Sequence, residues 1–305
     1  MKVKRHKRHK RHKRHKDNLA AYLFLLPALI GFIVFIIIPF LASLILSFTE
    51  WNFVSGVSGI KFIGLNNFKD LITDPWFKTA FTNNMLFAFT VVPISLILGL
   101  VIAAVIQRYV YVSNFIKVMI FMPYISSVVA IAIVWMVMLQ PTYGPVNQFL
   151  MSIGIANPPK WIADIKWAMP TLIFISIWQG IGYYVIIFIG GLNSIPKEVY
   201  ESADIDGATF WGKFFRISVP LVSPTTFFLA ITGIIASFKV FDLISVLTDG
   251  GPGTSTTVIA YYMYKTAFNY HKMGYASAMA AVVFVIIFII TILQWRGQKK
   301  LVIYD

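Results

Sequence analysis

The sequence predicts an all-α polytopic membrane protein with six transmembrane helices, and three observations carry that prediction. Of 305 residues, 58% are hydrophobic and 12% charged, with a mean hydropathy of +0.76, whereas a soluble domain is about half apolar and a quarter charged. Six apolar windows reach the ~20 residues that a helix needs to cross a bilayer, near residues 20–48, 82–107, 118–140, 168–190, 219–243 and 276–295. A polar, glycine-broken stretch, 194–218, separates the fourth window from the fifth.

Residues 1–18 form a basic tail, and 19–305 form the membrane domain. Ten Lys and Arg in residues 1–16 supply most of the formal charge of +14. Lys-Arg-His repeats four times from Lys4 to His15, and this density of like charge opposes folding. The tail reads best as a topology anchor attracting anionic lipid, since each Lys or Arg near such a surface contributes roughly 1 kcal/mol. Nucleic-acid binding lacks any reading surface elsewhere in the chain. Metal binding by His6, His9, His12 and His15 is opposed by the adjacent cations.

The absence of cysteine excludes disulfides and thiolate metal sites. The apolar run from Leu19 to Phe48 is about twice the roughly 7–15 residues of a cleavable signal, so it is expected to remain as the first span. Six spans put both termini on one side. Lys and Arg number eighteen in the segments that would be cytoplasmic and seven in the opposite loops, or eight against seven without the tail. Orientation therefore rests mainly on the tail and first span, and it places 194–218 in the cytoplasm.

The outward loops are aromatic, with Trp51, Trp76, Tyr143, Trp161 and Trp167 as interfacial anchors. The last begins with a tight turn, Thr248-Asp249-Gly250-Gly251-Pro252-Gly253.

Within 194–218, Ser194 reads as a helix N-cap and Pro196 as a first-turn residue. Gly207 can take the left-handed conformation that ends a helix. The expected form is a short helix, a kink, and a second short helix carrying Phe210, Trp211, Phe214 and Phe215 in the interface plane, with Pro220 entering the fifth span.

These residues carry a family resemblance. The order Glu201, Ser202, Ala203, then Gly207, then nine residues to Ile217, Val219 and Pro220 resembles the signature cytoplasmic loop of permease subunits of binding-protein-dependent ABC importers. Ser202 stands where alanine is usual and Val219 where leucine is. The Asp204–Ala208 and Leu247–Gly253 segments are similar to the carbohydrate branch, which includes maltose, glycerol-phosphate and multiple-sugar permeases. The resemblance covers essentially all of the chain after the tail. It implies a type I importer permease fold in the bacterial cytoplasmic membrane, with 194–218 as a coupling loop. The implied partners are a second permease subunit, two ATPase subunits and an extracytoplasmic solute-binding protein, with a sugar as substrate. This chain would hold no cofactor, ATP and Mg being bound by the ATPase. Glu201, Ser202, Ala203, Asp206, Gly207, Ile217 and Pro220 would be the ATPase-coupling residues, with Glu201 meeting a basic group.

No catalytic constellation is present, so the chain reads as a translocation subunit and not an enzyme. Gly207 to Lys213 has the G-x-x-x-x-G-K spacing of a phosphate-binding loop, but Phe214 stands where a magnesium-holding hydroxyl is required and no strand precedes it. His271 is the lone histidine outside the tail.

Polar groups in hydrocarbon are costly and point to a cavity or a helix contact. Trp178, Gln179, Tyr183 and Asp242 are the candidate sugar lining, because a sugar offers hydroxyls and an apolar ring face. Gly180 and Gly182 would permit close helix approach. Lys239 and Asp242, three residues apart, would pair on one helical face and extend the substrate path. For each of these residues, plain helix packing or snorkelling is the competing account. At the level of function the rivals are a permease of the same type for a glycerophosphodiester or polyamine, an ion-coupled secondary transporter, and a membrane scaffold.

Overall fold

The structure, a computed structural model, describes residues 24–109 and 113–301. The basic tail lies outside the described residues. Four helices are long and apolar enough to cross a membrane unbroken: α1 (Phe24–Leu46), α3 (Pro75–Tyr109), α7 (Ile165–Asn193) and α13 (Met273–Leu301). Two bent pairs complete six candidate spans. They are α4 (Ser113–Ile125) with α5 (Val128–Met138), bent by 93°, and α9 (Phe210–Leu221) with α10 (Ser223–Phe238), bent by 65°. Shorter helices are α2 (Asn66–Thr73), α6 (Pro145–Ser152), α8 (Lys197–Ile205), α11 (Asp242–Leu247) and α12 (Ile259–Tyr264). A two-residue ladder, Thr49–Glu50 against Lys61–Phe62, closes the loop between the first two candidate spans.

Proline shapes several of these helices. Pro123 lies inside α4, where its missing N–H leaves the Met119 carbonyl without its usual helical donor. Three residues on, the chain breaks at Ser126 and Ser127, with the Ser126 N–H donating back to the Pro123 carbonyl at 3.3 Å. π-helical turns at Ile33–Ile37 and Phe214–Ser218 each end two residues before a proline, Pro39 or Pro220. The carbonyls those rings would crowd belong to Phe35 and Arg216, inside the widened turns, so the change of register relieves the clash.

The second span starts at Pro75, earlier than the window at residue 82 implies. Asp74 accepts hydrogen bonds from the backbone N–H groups of Trp76 (2.8 Å) and Phe77 (3.3 Å), and Pro75 needs no donor in a first turn. Capping therefore extends the helix through a segment too polar to register by hydropathy.

α3 packs along α7 and α10, and α4 packs on α7. An inner cluster joins Leu100, Ala103 and Ile106 of α3, Val185, Phe188 and Leu192 of α7, Leu229 of α10, and Ile195 and Phe214 from the segment 194–218. An outer cluster joins Ile131 of α5, Leu172 and Ile175 of α7, Leu243, Ile244 and Leu247 of α11, and Tyr261 of α12. α1 packs on α13 but has no buried residue of its own within the chain.

Candidate functional site

The first site is the kinked loop. α8 ends at Gly207, whose φ of +73° is left-handed, with the Ala208 N–H donating to the Ala203 carbonyl at 2.9 Å. Thr209 then caps α9, its hydroxyl oxygen accepting from the Gly212 N–H at 3.2 Å. Helix, left-handed glycine and second helix thus follow one another as the residues predict. The expected Ser194 cap does not form. Pro196 occupies the N-cap position of α8, and the Ser194 hydroxyl donates back to the Gly191 carbonyl at 2.7 Å, finishing α7.

Glu201, Ser202, Asp206 and Gly207 are exposed, and Ala203, Ile217 and Pro220 are half-buried. Ile205 is 88% exposed beside them. An open cavity of about 640 Å³ between the two helices is lined by Ala203, Asp206, Thr209, Gly212, Arg216 and Ile217. The face therefore combines carboxylates, an apolar knob and a concavity.

The opposite side of the loop is tied down. Phe214 is buried in the inner cluster, and Lys213, only 2% exposed as a residue, has its ammonium ion-paired to Asp204 on α8. This disposes of the phosphate-loop spacing, because the lysine that would grip a phosphate faces inward onto a carboxylate.

The second site is aromatic. Trp178 meets Trp135 of α5 edge to face, with centroids 5.5 Å apart, and Trp135 meets Phe174 in the same way at 5.7 Å. Tyr183 stacks on Tyr124 of α4 at 5.1 Å. The helices approach because of Gly182, where a Cβ would fall 2.3 Å from the Ile120 carbonyl oxygen. Gly180 does not serve this purpose, since nothing lies within 4 Å of it. Trp178 is 40% exposed and Gln179 is half-buried. Trp135 and Tyr124 were not singled out from sequence. The one local signal is the proline beside Tyr124.

Lys239 and Asp242 are not paired. The helix ends at Lys239, and Asp242 opens the separate helix α11, so the three-residue helical spacing that would align them is lost. Both are exposed at the break. Between them, Val240 packs against the cluster of Phe87, Val91, Met169 and Ile173, so the break lies beside the part of α7 that precedes Trp178.

The helix ends remote from 194–218 are cross-tied. Asp74 accepts from the hydroxyls of Tyr262 (2.7 Å) and Tyr275 (2.8 Å), and the Asn83 amide donates to the carbonyls of Thr254 and Thr257, both at 2.9 Å. Burial pushes the Asp74 carboxyl up, but these phenols and the capping N–H groups together hold it below the usual carboxylate range. Asp249 accepts from Tyr261 at 2.5 Å and pairs with Lys265 at 3.2 Å, and its carboxyl is lowered chiefly by the Tyr261 hydrogen bond.

Residues 95–301 match the family described as binding-protein-dependent transport system inner membrane component. The protein named "Probable ABC transporter permease protein YurN" of Bacillus subtilis is 36% identical over 286 residues, covering 93% of this chain and 97% of that one. The lactose transport system permease protein LacF of Rhizobium radiobacter is 32% identical, covering 92% and 94%. A solved bacterial ABC transporter involved in the import of the acidic polysaccharide alginate contains a chain that superimposes with a TM-score of 0.80 at 25% identity, covering 94% of this chain and 99% of that one.

Proposed function

Because the chain belongs to the family of inner-membrane components of binding-protein-dependent transport systems, as a sugar-type ABC importer permease, we propose that it moves sugars or oligosaccharides by alternating access driven by separate ATPase subunits. It would act with a second permease, two ATPases that bind ATP and Mg, and an extracytoplasmic solute-binding protein. Both termini and the loop 194–218 would be cytoplasmic.

The observation that carries the reading is the two-sidedness of the coupling loop. Glu201, Ile205 and Asp206 face outward on α8, while Phe214 and Lys213 anchor the following turn in the core shared by α3, α7 and α10. A push on the exposed face then reaches three spans through packed side chains. For that push to shift a population, the ATP-bound and free ATPase must contact Glu201, Ser202, Ala203, Asp206 and Gly207 differently. Ile217 and Pro220 would carry the displacement into the fifth span.

The sugar path would run past Trp178, Gln179 and Tyr183, with Trp135 and Tyr124 adding aromatic faces, and Lys239 and Asp242 supplying charge at its outer end. Aromatic rings offer a flat apolar surface to a pyranose, and Gln179 offers a donor and an acceptor. The relative named for lactose and the transporter named for alginate support carbohydrate as the substrate class.

The test is to express the chain with its companion subunits, purify the complex in mild detergent and measure sugar uptake in proteoliposomes. Co-purification of an ATPase and ATP-dependent uptake of a sugar are expected. A complex with no ATPase, or uptake that follows an ion gradient without ATP, would overturn the reading.

A further inference from the structure

We propose that Lys213 and Asp204 form a positioning lock that makes the two short helices of the coupling loop move as one body. The inference rests on the functional reading above and concerns how the loop transmits force.

The need for a lock follows from the packing. α8 has no buried residue, Val199 and Ile205 are exposed, and Tyr200 and Ala203 are only half-buried. Apolar burial, the usual source of rigidity, therefore does little to hold this helix against the spans. Its C-terminal end runs into Gly207, where φ is +73° and no atom lies within 4 Å of the position a Cβ would take, so neither a side chain nor packing stiffens the joint.

Two polar links span the kink instead. The Lys213 ammonium on α9 reaches back to the Asp204 carboxylate on the last turn of α8. The Tyr200 and Ser218 hydroxyls lie 2.9 Å apart and tie the middle of α8 to the π-helical turn. Both links border a small cavity of about 180 Å³ that also touches Gln107 of α3, Leu192 of α7 and Phe214.

The two ends of the ion pair are unequal. The Lys213 side chain is 3% exposed and that of Asp204 is 57% exposed. A buried ammonium without a counterion is strongly disfavoured, so Lys213 holds Asp204 more firmly than a surface pair would. The next residue, Phe214, is packed among Leu192, Val222 and Leu229. Force on α8 thus passes through Asp204 to Lys213, and from Phe214 to the spans. With the ion pair cut, α8 is held across the kink more weakly, it yields more readily about Gly207, and more of the same force is spent on the loop.

The experiment uses the reconstituted complex and the variants Lys213→Met, Asp204→Asn and Lys213→Arg, with membrane abundance, ATPase co-purification, ATP hydrolysis and sugar uptake measured together. Lys213→Met leaves a half-exposed carboxylate, which tolerates the loss of the ammonium, and so keeps the test open where Asp204→Asn strands a buried cation. Expected for both is retained ATPase and basal hydrolysis, with sugar moved per ATP reduced by roughly tenfold, within the span of typical coupling free energies. Lys213→Arg, which keeps charge and donors, restores the ratio to within about twofold. Wild-type sugar-to-ATP ratios in Lys213→Met and Asp204→Asn overturn the lock. So does loss of the ATPase subunit in step with uptake, which marks the pair as mere support for docking. A wild-type complex that contains no ATPase overturns the functional reading itself, and the lock with it.

Discussion

Tyr183 stacks on Tyr124 with centroids 5.1 Å apart and planes 22° from parallel, joining the fourth span to the first half of the bent third span. The pair sits beside Gly182, whose bare backbone admits the Ile120 carbonyl. Aromatic pairs of this kind contribute about 0.5–1.5 kcal/mol beyond the area they bury. In the proposed path, Tyr183→Ala removes both this contact and a sugar-facing ring. The half-saturating sugar concentration for uptake should rise by roughly tenfold, with Tyr183→Phe close to wild type. Equal uptake curves for Tyr183→Ala and wild type would remove Tyr183 from the path.

Gly182 and Gly180 make a paired test of helix approach. Gly182→Ala must displace the α4 backbone, an overpacking cost of about 1–3 kcal/mol. Gly180→Ala meets open space and gains helix propensity of up to about 1 kcal/mol. Thermal unfolding in detergent should show the first variant melting lower than wild type and the second no lower. The reverse order would contradict the contact.

Gly207 holds the kink through backbone conformation, since its surroundings are empty. Gly207→Ala puts a side chain at φ +73°, costing about 1–2 kcal/mol. Gly207→Asp tolerates that conformation better but adds a carboxylate to the docking face. Gly207→Asp is expected at normal levels in the membrane with weakened ATPase pull-down and reduced uptake. Undiminished uptake counts against the mechanism.

Asp74 gives the start of α3 a pH signature. Its folded pKa lies below the unfolded value of about 3.9, so its contribution is complete above that pH and is lost as pH falls through the lower folded value. At neutral pH, Asp74→Asn should lower stability by about 1–2 kcal/mol, allowing for partial solvent screening. The gap between wild type and Asp74→Asn should stay constant from pH 7 to about 5 and narrow below about 4. Melting temperatures across that range check it, and a gap that widens on acidification would reverse the assignment.

What was legible in the sequence was what local composition determines. Each apolar window falls on a helix or bent helix pair long and apolar enough to span, and Gly207 with its flanking residues located the kink, because a left-handed glycine after a helix is a local event. The bends were not legible. Pro123, Pro220 and Pro224 are visible, but whether a proline kinks, ends or starts a helix depends on its neighbours. The polar start of α3 was hidden because Asp74 caps a segment that hydropathy alone discards. The Lys239–Asp242 pairing failed because it assumed continuous helix through Val240. The partners of Trp178, Tyr183 and Lys213 depend on which distant helices meet, and no spacing within one segment encodes that.

The central claim is that work enters through the exposed face of α8. The chain has no cysteine, so Ile205→Cys gives one reactive thiol at a residue that is 88% exposed. A maleimide photo-crosslinker attached there, in membranes carrying the whole complex, should join this chain to the nucleotide-hydrolysing subunit, with yield that changes on adding ATP. Labelling of the same thiol by a membrane-impermeant maleimide added outside intact cells, or a crosslink to every companion except the ATPase, would contradict it.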